Sequence, residues 1–304
     1  MFEWLSNSKW TGISALAGIA AIYFESKRRK LHIKKASTPS LALPKSEAHE
    51  LVGRFVAIYK AHGIERMQIP RFLGDNYGLK IAHLETDEKL MHEISDTILN
   101  YTCSSFGITR NWLDGVKSEI YPYKYYDKNL RGFIDFLESI KAEHGEIQAF
   151  VIKCESDRLQ KDESRFHVAF VFRGLLYHWD DIGEKSIWRY YPLNDTLCWG
   201  YTRTRIQIKA MVLVLWQFNI HPFGCVLPEK DVNNLVEGLV FPEPLIPSHW
   251  VAWYPDDYIF AEGESCQVAD GKEALAVREE MERMGWMKYL IEKTGPLRVP
   301  HRKS

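Results

Sequence analysis

The stretch from His178 to Asp181 contains the residue types that acid–base chemistry needs. His178 is followed closely by Asp180 and Asp181, and an imidazole beside carboxylates can transfer protons or bind a metal. The stretch also follows a predicted strand, where aspartates are ordinary turn residues. We expect the turn role, and we keep an enzyme that uses the His178, Asp180 and Asp181 region as an alternative.

The rest of the sequence carries no familiar catalytic or metal-binding motif. It lacks the patterns GxSxG, GxGxxG and HExxH and the phosphate-binding P-loop. Its five cysteines include no close pair, which excludes a disulfide framework and short-spaced zinc motifs. Unpaired thiols agree with a reducing compartment. The sequence therefore predicts no catalytic residue, no metal and no cofactor.

Residues 177–201 are rich in aromatic side chains, and five arginines from Arg165 to Arg205 are interleaved with them. Such a surface could bind a small ligand, a peptide or stacked bases, with arginine adding cation–π or phosphate contacts. The alternative is that the aromatic side chains fill the core of a small sheet and the arginines lie over it. If the region is a binding surface, its ligand or partner residues are Trp179, Trp188, Arg189, Tyr190 and Tyr201.

A helical region with three distinctive stretches precedes these residues. Residues 55–64 are FVAIYKAHGI, residues 68–74 are QIPRFLG, and residues 96–115 combine a helix, a turn and the ending NWLDG. Together, residues 50–115 resemble the helix-turn-helix unit of the Cro/CI (lambda-repressor-like) family. The resemblance implies a recognition helix between about residues 76 and 85 that enters the major groove of DNA. The DNA-binding residues that it implies are Gln68, Arg71, Asn76, Lys80 and His83.

The charge of this helical region disfavours DNA binding. Residues 61–115 carry five basic and eight acidic side chains, a net charge of −3, whereas DNA affinity depends largely on neutralising phosphates. The whole chain has a formal net charge of −1, which excludes a protein that is basic throughout. We therefore keep open a small helical bundle that uses this fold for protein contacts.

The N-terminal segment has features of a membrane anchor. Residues 10–24 contain no charge, although the run is shorter than the ~20 residues that comfortably span a bilayer. Four cations follow it, Lys27, Arg28, Arg29 and Lys30, and we expect them to face lipid headgroups. The positive-inside rule then places the bulk of the chain in the cytoplasm. The sequence thus predicts a single-pass protein of the inner (cytoplasmic) membrane, with an interfacial helix as the alternative.

The chain as a whole is predicted to be of the α+β class. The expected parts are an N-terminal membrane-spanning helix (1–26), a basic Pro/Ser-rich linker (27–45), a small all-helical helix-turn-helix-like module (46–120), an α+β domain with an antiparallel sheet and packed helices (121–268), and a C-terminal helix and tail (269–304). The hydrophobic patterns predict a helix at 130–144, strands at 147–154, 166–177 and 187–191, a buried helix at 206–218 and a helix at 272–293.

These features together favour a binding or regulatory protein. We expect a membrane-anchored regulator with a transcription-regulator-like helical module and a C-terminal α+β domain that binds a ligand or partner. Its partners would be the lipid bilayer, duplex DNA, and a protein or small ligand at the C-terminal domain. The alternative is a protein–protein interaction module of a membrane-associated assembly that does not bind DNA.

Overall fold

The computed structural model describes most of the chain after residue 45. The described residues are 46–154, 159, 167–179, 185–195, 197–246, 250–258 and 271–297. From Glu47 onward the chain forms one compact unit, in which a helical half precedes a sheet with its own helices. The anchor predicted at 1–26 and the linker predicted at 27–45 lie outside the described residues.

Side-chain caps set the starts of the helices in the helical half. Thr86, Ser95 and Thr109 each accept a hydrogen bond from a backbone N–H of the following turn, at 3.2 to 3.3 Å. These bonds satisfy donors that the first turn of a helix leaves unpaired. The helices are α1 (Glu47–Ala61), α2 (Ile69–Leu73), α3 (Asp87–Glu93), α4 (Asp96–Phe106) and α5 (Arg110–Leu113).

The sheet is mixed, which corrects the prediction of an antiparallel sheet. Its strands are β1 (Ile147–Lys153), β2 (His167–Trp179), β3 (Lys185–Pro192), β4 (Leu197–Cys198), β5 (Pro222–Val226) and β6 (Trp250–Trp253). They lie in the order β3–β2–β1–β5–β6, with β4 beside β2. β1 pairs antiparallel with β2 but parallel with β5. The parallel pair arises because a long helix carries the chain across the sheet before β5, and such a crossover joins parallel strands.

Helices cover both faces of this sheet. The helices of the second half are α6 (Leu130–His144), α7 (Thr202–Gln217), α8 (Glu229–Val236), α9 (Gly271–Arg283) and α10 (Trp286–Thr294). One hydrophobic cluster joins Phe170 and Phe172 of β2 to α6, α7, α9 and α10. Another joins Phe150 and Ile152 of β1 to the helical half and α8. Because alternate side chains of a strand face opposite ways, the central strands are apolar on both faces.

The membrane prediction requires a correction. Within the described ranges, no helix combines the length and the apolar character that crossing a bilayer requires. The longest, α7, has 16 residues and carries buried Arg205 and Lys209. The uncharged run at 10–24, itself short for a span, lies outside the described residues. The single-pass architecture and the inner-membrane location are therefore not supported, and we do not retain them.

The helix-turn-helix prediction is wrong at the element that defines it. In place of a recognition helix at 76–85, the chain forms two 3-10 turns, Asp75–Tyr77 and Ile81–Leu84. Gly74 and Gly78, with φ of 77° and 66°, flank the first turn and interrupt any continuous helix. A major-groove reader needs an uninterrupted helix at this place. The DNA-binding prediction thereby loses its structural basis.

Candidate functional site

Most of the predicted aromatic surface lies in the core. Trp179 and Tyr190 are each 1% exposed and Trp188 is 8% exposed. Tyr201 is exposed and immediately precedes α7. Three of the five predicted ligand residues are therefore buried where no ligand reaches them. For these three side chains the alternative holds, in which the aromatic residues fill the core of the sheet.

The buried aromatic side chains hold a polar cluster that joins the sheet to the segment after α8. The Arg173 guanidinium lies 4.4 Å from the centre of the Trp188 ring, and it donates two hydrogen bonds to Gln148 Oε1, at 2.7 and 2.9 Å. The Tyr190 hydroxyl accepts from Arg173 at 3.1 Å and donates to Glu243. Burial raises the pKa of Glu243, against the opposing charge of Arg173. These contacts give the arginine and the aromatic side chains a structural role.

The residues implied by the family resemblance lie on a series of short helical turns and not on one recognition helix. Gln68 accepts a hydrogen bond from the Glu65 backbone N–H at 2.9 Å, and the Arg71 guanidinium lies 4.9 Å from the centre of the Trp179 ring. Asn76 and Lys80 are exposed on the two 3-10 turns, and His83 Nδ1 lies 3.6 Å from Glu93. His83 Nδ1 also accepts from the Lys80 backbone N–H at 3.3 Å. Three of the five side chains therefore serve local structure.

His178 lies at the exposed end of β2, and no catalytic set surrounds it in the described structure. Its Nδ1 contacts the Ser186 hydroxyl on β3 at 3.1 Å. Asp180 and Asp181 lie outside the described residues. The described part of the chain contains no group of three or more His, Cys, Asp or Glu side chains that could hold a metal. Lys27, Arg28, Arg29 and Lys30, the predicted lipid contacts, also lie outside the described residues.

A pocket of about 480 Å³ lies where the start of α7 meets the turn between α9 and α10. A volume in this range suits a small organic ligand. The lining residues combine apolar and charged side chains, and they are Asp127, Lys128, Arg203, Thr204, Ile206, Gln207, Ala210, Glu280, Arg283, Met284 and Trp286. Arg203 is one of the five arginines interleaved with the aromatic residues, but no spacing in the sequence connects it to the other walls of the pocket.

The loop that forms one wall is fixed by side chains from elsewhere in the fold. Gln207 accepts a hydrogen bond from the Lys128 backbone N–H and donates to the Tyr126 carbonyl, both at 2.9 Å. Asp195 accepts from the Tyr126 backbone N–H at 2.8 Å. These bonds hold Lys128 at a φ of 59°, a left-handed conformation that costs energy in a residue with a side chain. The wall is therefore already ordered before any ligand binds.

The opposite wall is held by a buried ion cluster between α7 and α9. Glu273 accepts hydrogen bonds from the Arg205 Nη2 at 2.9 Å and from the Lys209 Nζ at 2.7 Å. Burial alone would raise the pKa of Glu273, but the hydrogen bonds and charges of Arg205 and Lys209 outweigh it and lower the pKa to about 2. The carboxylate is therefore ionised at neutral pH and fixes the start of α9 against α7.

The charges inside the pocket are unequally neutralised. Glu280 and Arg283 form a bidentate pair at 2.6 and 2.8 Å. Asp127 accepts from the Tyr125 hydroxyl at 3.1 Å and lies 3.6 Å from the Lys128 ammonium. Arg203 donates no hydrogen bond to any residue in the described ranges, although its charge contributes to lowering the pKa of Glu280. An exposed cation thus stands at the edge of an apolar floor made by Ile206, Ala210, Met284 and Trp286.

Such an arrangement can hold a molecule but provides no evident chemistry. An apolar floor with a few charged groups at its edge is the usual form of a ligand site, and an arginine at that edge suits an anionic group. No nucleophile stands beside a base among the pocket residues. No family model matches the chain, and no curated protein or solved structure shows significant similarity to it.

Proposed function

We propose that this protein binds a small organic anion in the pocket between α7 and the α9–α10 turn. The observation that supports this most directly is the pairing of an apolar floor with Arg203, a cation that has no hydrogen-bond partner in the described structure. The ligand class is a molecule with an apolar, preferably aromatic, body and one acidic group. The proposal gives a ligand class to the ligand- or partner-binding role predicted for the C-terminal α+β domain, at a pocket that the predicted surface residues do not line.

The contacts assign a different task to each part of the pocket. Trp286 and Met284 offer flat and adaptable apolar surface on which an aromatic body packs. Arg203 supplies up to five N–H donors to the acidic group. Because Glu280 and Asp127 already have cationic partners, an incoming anion meets a pocket with an excess of one positive charge, since three cations and two carboxylates line it.

Two fluorescent dyes that differ by one charged group test this assignment. Anilinonaphthalene sulfonate carries an aromatic body and one sulfonate, whereas N-phenylnaphthylamine has a similar body without the charge. We expect saturable binding of the sulfonate dye to the folded protein. Arg203→Glu should weaken it about tenfold, a loss of about 1.4 kcal/mol, and should leave the neutral dye unaffected.

The matched control is Lys230→Glu, the same charge reversal on α8 at an exposed lysine that does not line the pocket. It should leave the affinity for both dyes unchanged. Equal affinity of the wild-type protein and the Arg203→Glu variant for the sulfonate dye would refute the proposal, as would the absence of saturable binding.

A further inference from the structure

A second group of charged side chains lies apart from the pocket, around the ring of Tyr191. The Arg189 guanidinium lies 5.0 Å from the centre of this ring, and the Lys124 ammonium lies 5.9 Å from the same centre. The Lys124 ammonium also lies 5.3 Å from the centre of the Phe136 ring. Two cations from distant parts of the sequence therefore share one aromatic side chain.

The backbone fixes Lys124 in this position. Its N–H donates to Asn194 Oδ1 at 2.6 Å, and its carbonyl accepts from the Asn194 N–H at 2.7 Å. Asn194 is held in turn, since its side-chain amide donates to the Val236 carbonyl at 2.6 Å. The backbone that carries the Lys124 side chain is therefore ordered, and the fold itself positions this lysine beside Tyr191.

The carboxylate of Glu143 pairs with one of the two cations and with the Tyr191 hydroxyl. Glu143 accepts from Arg189 Nη1 at 2.6 Å with one oxygen and from the Tyr191 hydroxyl at 3.2 Å with the other. Lys124 has no carboxylate within 4.0 Å among the described residues. Burial, and then the charge of Arg189, lower the pKa of Lys124. The group therefore holds an excess positive charge that the described protein does not neutralise.

The Arg189 guanidinium also retains unused donors. Its hydrogen bond to Glu143 employs Nη1 alone, and the buried Nε has no partner in the described structure. The guanidinium lies against the backbone of Gly107, where an added Cβ would come within 2.8 Å of Nε. Because Nε is buried, the donors left for a second oxyanion are the Nη1 and Nη2 N–H groups that Glu143 does not use.

We propose that Lys124 and Arg189 form a binding site for a phosphate-type oxyanion beside the Tyr191 ring. The anion would neutralise the excess charge and accept hydrogen bonds from the ammonium and the guanidinium. Arginine suits the planar recognition of phosphate oxygens, and lysine supplies a compact charge. The site is independent of the pocket between α7 and the α9–α10 turn, because neither Lys124 nor Arg189 lines that pocket.

His144 provides a built-in reporter for this site. Its side chain is 2% exposed. Its Nδ1 contacts the Leu175 carbonyl at 3.1 Å, and its Nε2 contacts the Tyr191 hydroxyl at 2.5 Å. A carbonyl only accepts, so Nδ1 carries a proton, and in the neutral ring Nε2 competes with Glu143 for the one proton of the Tyr191 hydroxyl. The charged groups that act on its pKa are Glu143 on its own helix and Arg189 on β3, while Lys124 on the loop before α6 lies beside the Tyr191 ring.

The groups around His144 determine in which direction anion binding changes its pKa. Burial lowers the pKa of His144, the charge of Glu143 and the bond to Leu175 oppose this, and the charge of Arg189 adds to it. A bound oxyanion adds negative charge close to Tyr191 and favours the protonated ring. Binding must therefore raise the pH at which His144 titrates.

The experiment follows His144 by NMR in the full chain during titration with inorganic phosphate, against sodium chloride at equal ionic strength. We expect phosphate, and not chloride, to move the His144 resonances saturably and to raise their titration midpoint. Lys124→Gln should weaken phosphate binding about tenfold or more. Lys117→Gln, at an exposed lysine of the preceding loop, should leave it unchanged.

Three further measurements make the result decisive. Thermal unfolding without phosphate establishes that the Lys124→Gln variant is folded, and Arg189→Lys retains the charge and should bind with intermediate affinity. Glycerol phosphate, tested beside inorganic phosphate, distinguishes a phosphate ester from the free ion by which of the two binds more tightly. Equal effects of phosphate and chloride on His144, or phosphate binding by the folded Lys124→Gln variant at wild-type affinity, would overturn the proposal.

Discussion

His62 shows how a single buried residue ties the helical half to the sheet. It follows α1, and its ring lies 4.2 Å from that of Phe106 and 6.0 Å from that of Tyr190, measured between centroids. Nδ1 contacts the Ile58 carbonyl at 2.6 Å, while Nε2 is buried with no partner in the described structure. Burial lowers the pKa of His62 to about 4, against the opposing effect of the bond to Ile58.

The lowered pKa of His62 predicts that the protein loses stability as the pH falls. In the unfolded chain a histidine titrates near 6.5, so between about pH 6.5 and 4 the unfolded state binds a proton that the folded state excludes. The contribution of His62 to stability is therefore full above pH 6.5 and falls as the pH approaches 4, by roughly 3 kcal/mol. Urea unfolding at pH 7 and pH 4.5 measures this loss.

His62→Phe should reduce the acid-dependent loss, whereas His92→Phe, at an exposed histidine of α3, should retain it. If the His62→Phe variant loses as much stability on acidification as the wild-type protein, the buried imidazole is not the cause.

Gly174 shows a steric requirement that the sequence alone hides. A Cβ at this position on β2 would lie 2.2 Å from Cδ2 and 2.3 Å from Cγ of the His144 ring. Gly174→Ala must therefore displace His144, and we expect the free energy of unfolding to fall by about 1–3 kcal/mol. Gly53→Ala provides the control, because no atom lies within 4 Å of a Cβ there and alanine favours a helix by about 0.5–1 kcal/mol. Chemical denaturation of both variants should give opposite signs, and equal signs would contradict the assignment.

At the scale of elements, local patterns predicted those parts of the fold that depend on local sequence. The helix predicted at 130–144 coincides with α6, and the strands predicted at 147–154, 166–177 and 187–191 match β1, β2 and β3 to within about two residues. β5 escaped prediction because it is short and contains Pro222 and Gly224, residues that weaken a strand signal. Since β5 supplies the parallel pair, missing it led to the wrong sheet type.

The pocket could not be predicted from the sequence, for a related reason. Its walls come from residues 127–128, 203–210 and 280–286, and no spacing in the sequence connects these stretches. The predicted single helix at 272–293 is instead two helices, α9 and α10, separated at Gly285, which has a φ of 68°. That break makes the turn on which Met284 and Trp286 reach the pocket.

The ion cluster between α7 and α9 is expected to stabilise the packing of these two helices. Glu273→Gln removes a carboxylate that pairs with Arg205 and Lys209, which are 4% and 3% exposed. Breaking a buried ion pair in this way costs about 3–5 kcal/mol, and hydrogen exchange should rise first in α9. The control Glu279→Gln, at an exposed residue of the same helix, should change stability by less than about 0.5 kcal/mol. If the Glu273→Gln variant is as stable as the control, the ion cluster does not stabilise the pocket wall.

At the scale of the molecule, the sheet is the shared wall of two hydrophobic clusters. Ile58 and Phe106 of the helical half belong to the same cluster as Phe150 and Trp188 of the sheet. A fragment of residues 46–120 would expose this apolar surface to water, and an exposed patch of that kind does not support a stable monomer. We expect the fragment to show poor NMR dispersion and no cooperative unfolding, whereas the whole chain unfolds cooperatively. A fragment with native-like dispersion would contradict a shared core.

Methionine methyl NMR of the whole chain can show directly whether an anion binds in the pocket between α7 and the α9–α10 turn. Met284 lines the pocket and is 44% exposed, whereas Met67 is 50% exposed and lies outside it. Titration with anilinonaphthalene sulfonate should shift the Met284 methyl resonance saturably and leave that of Met67 unmoved. In the Arg203→Glu variant the same shift of Met284 should need about tenfold more dye. Shifts of similar size at both methionines, or an unmoved Met284 resonance, would contradict the account.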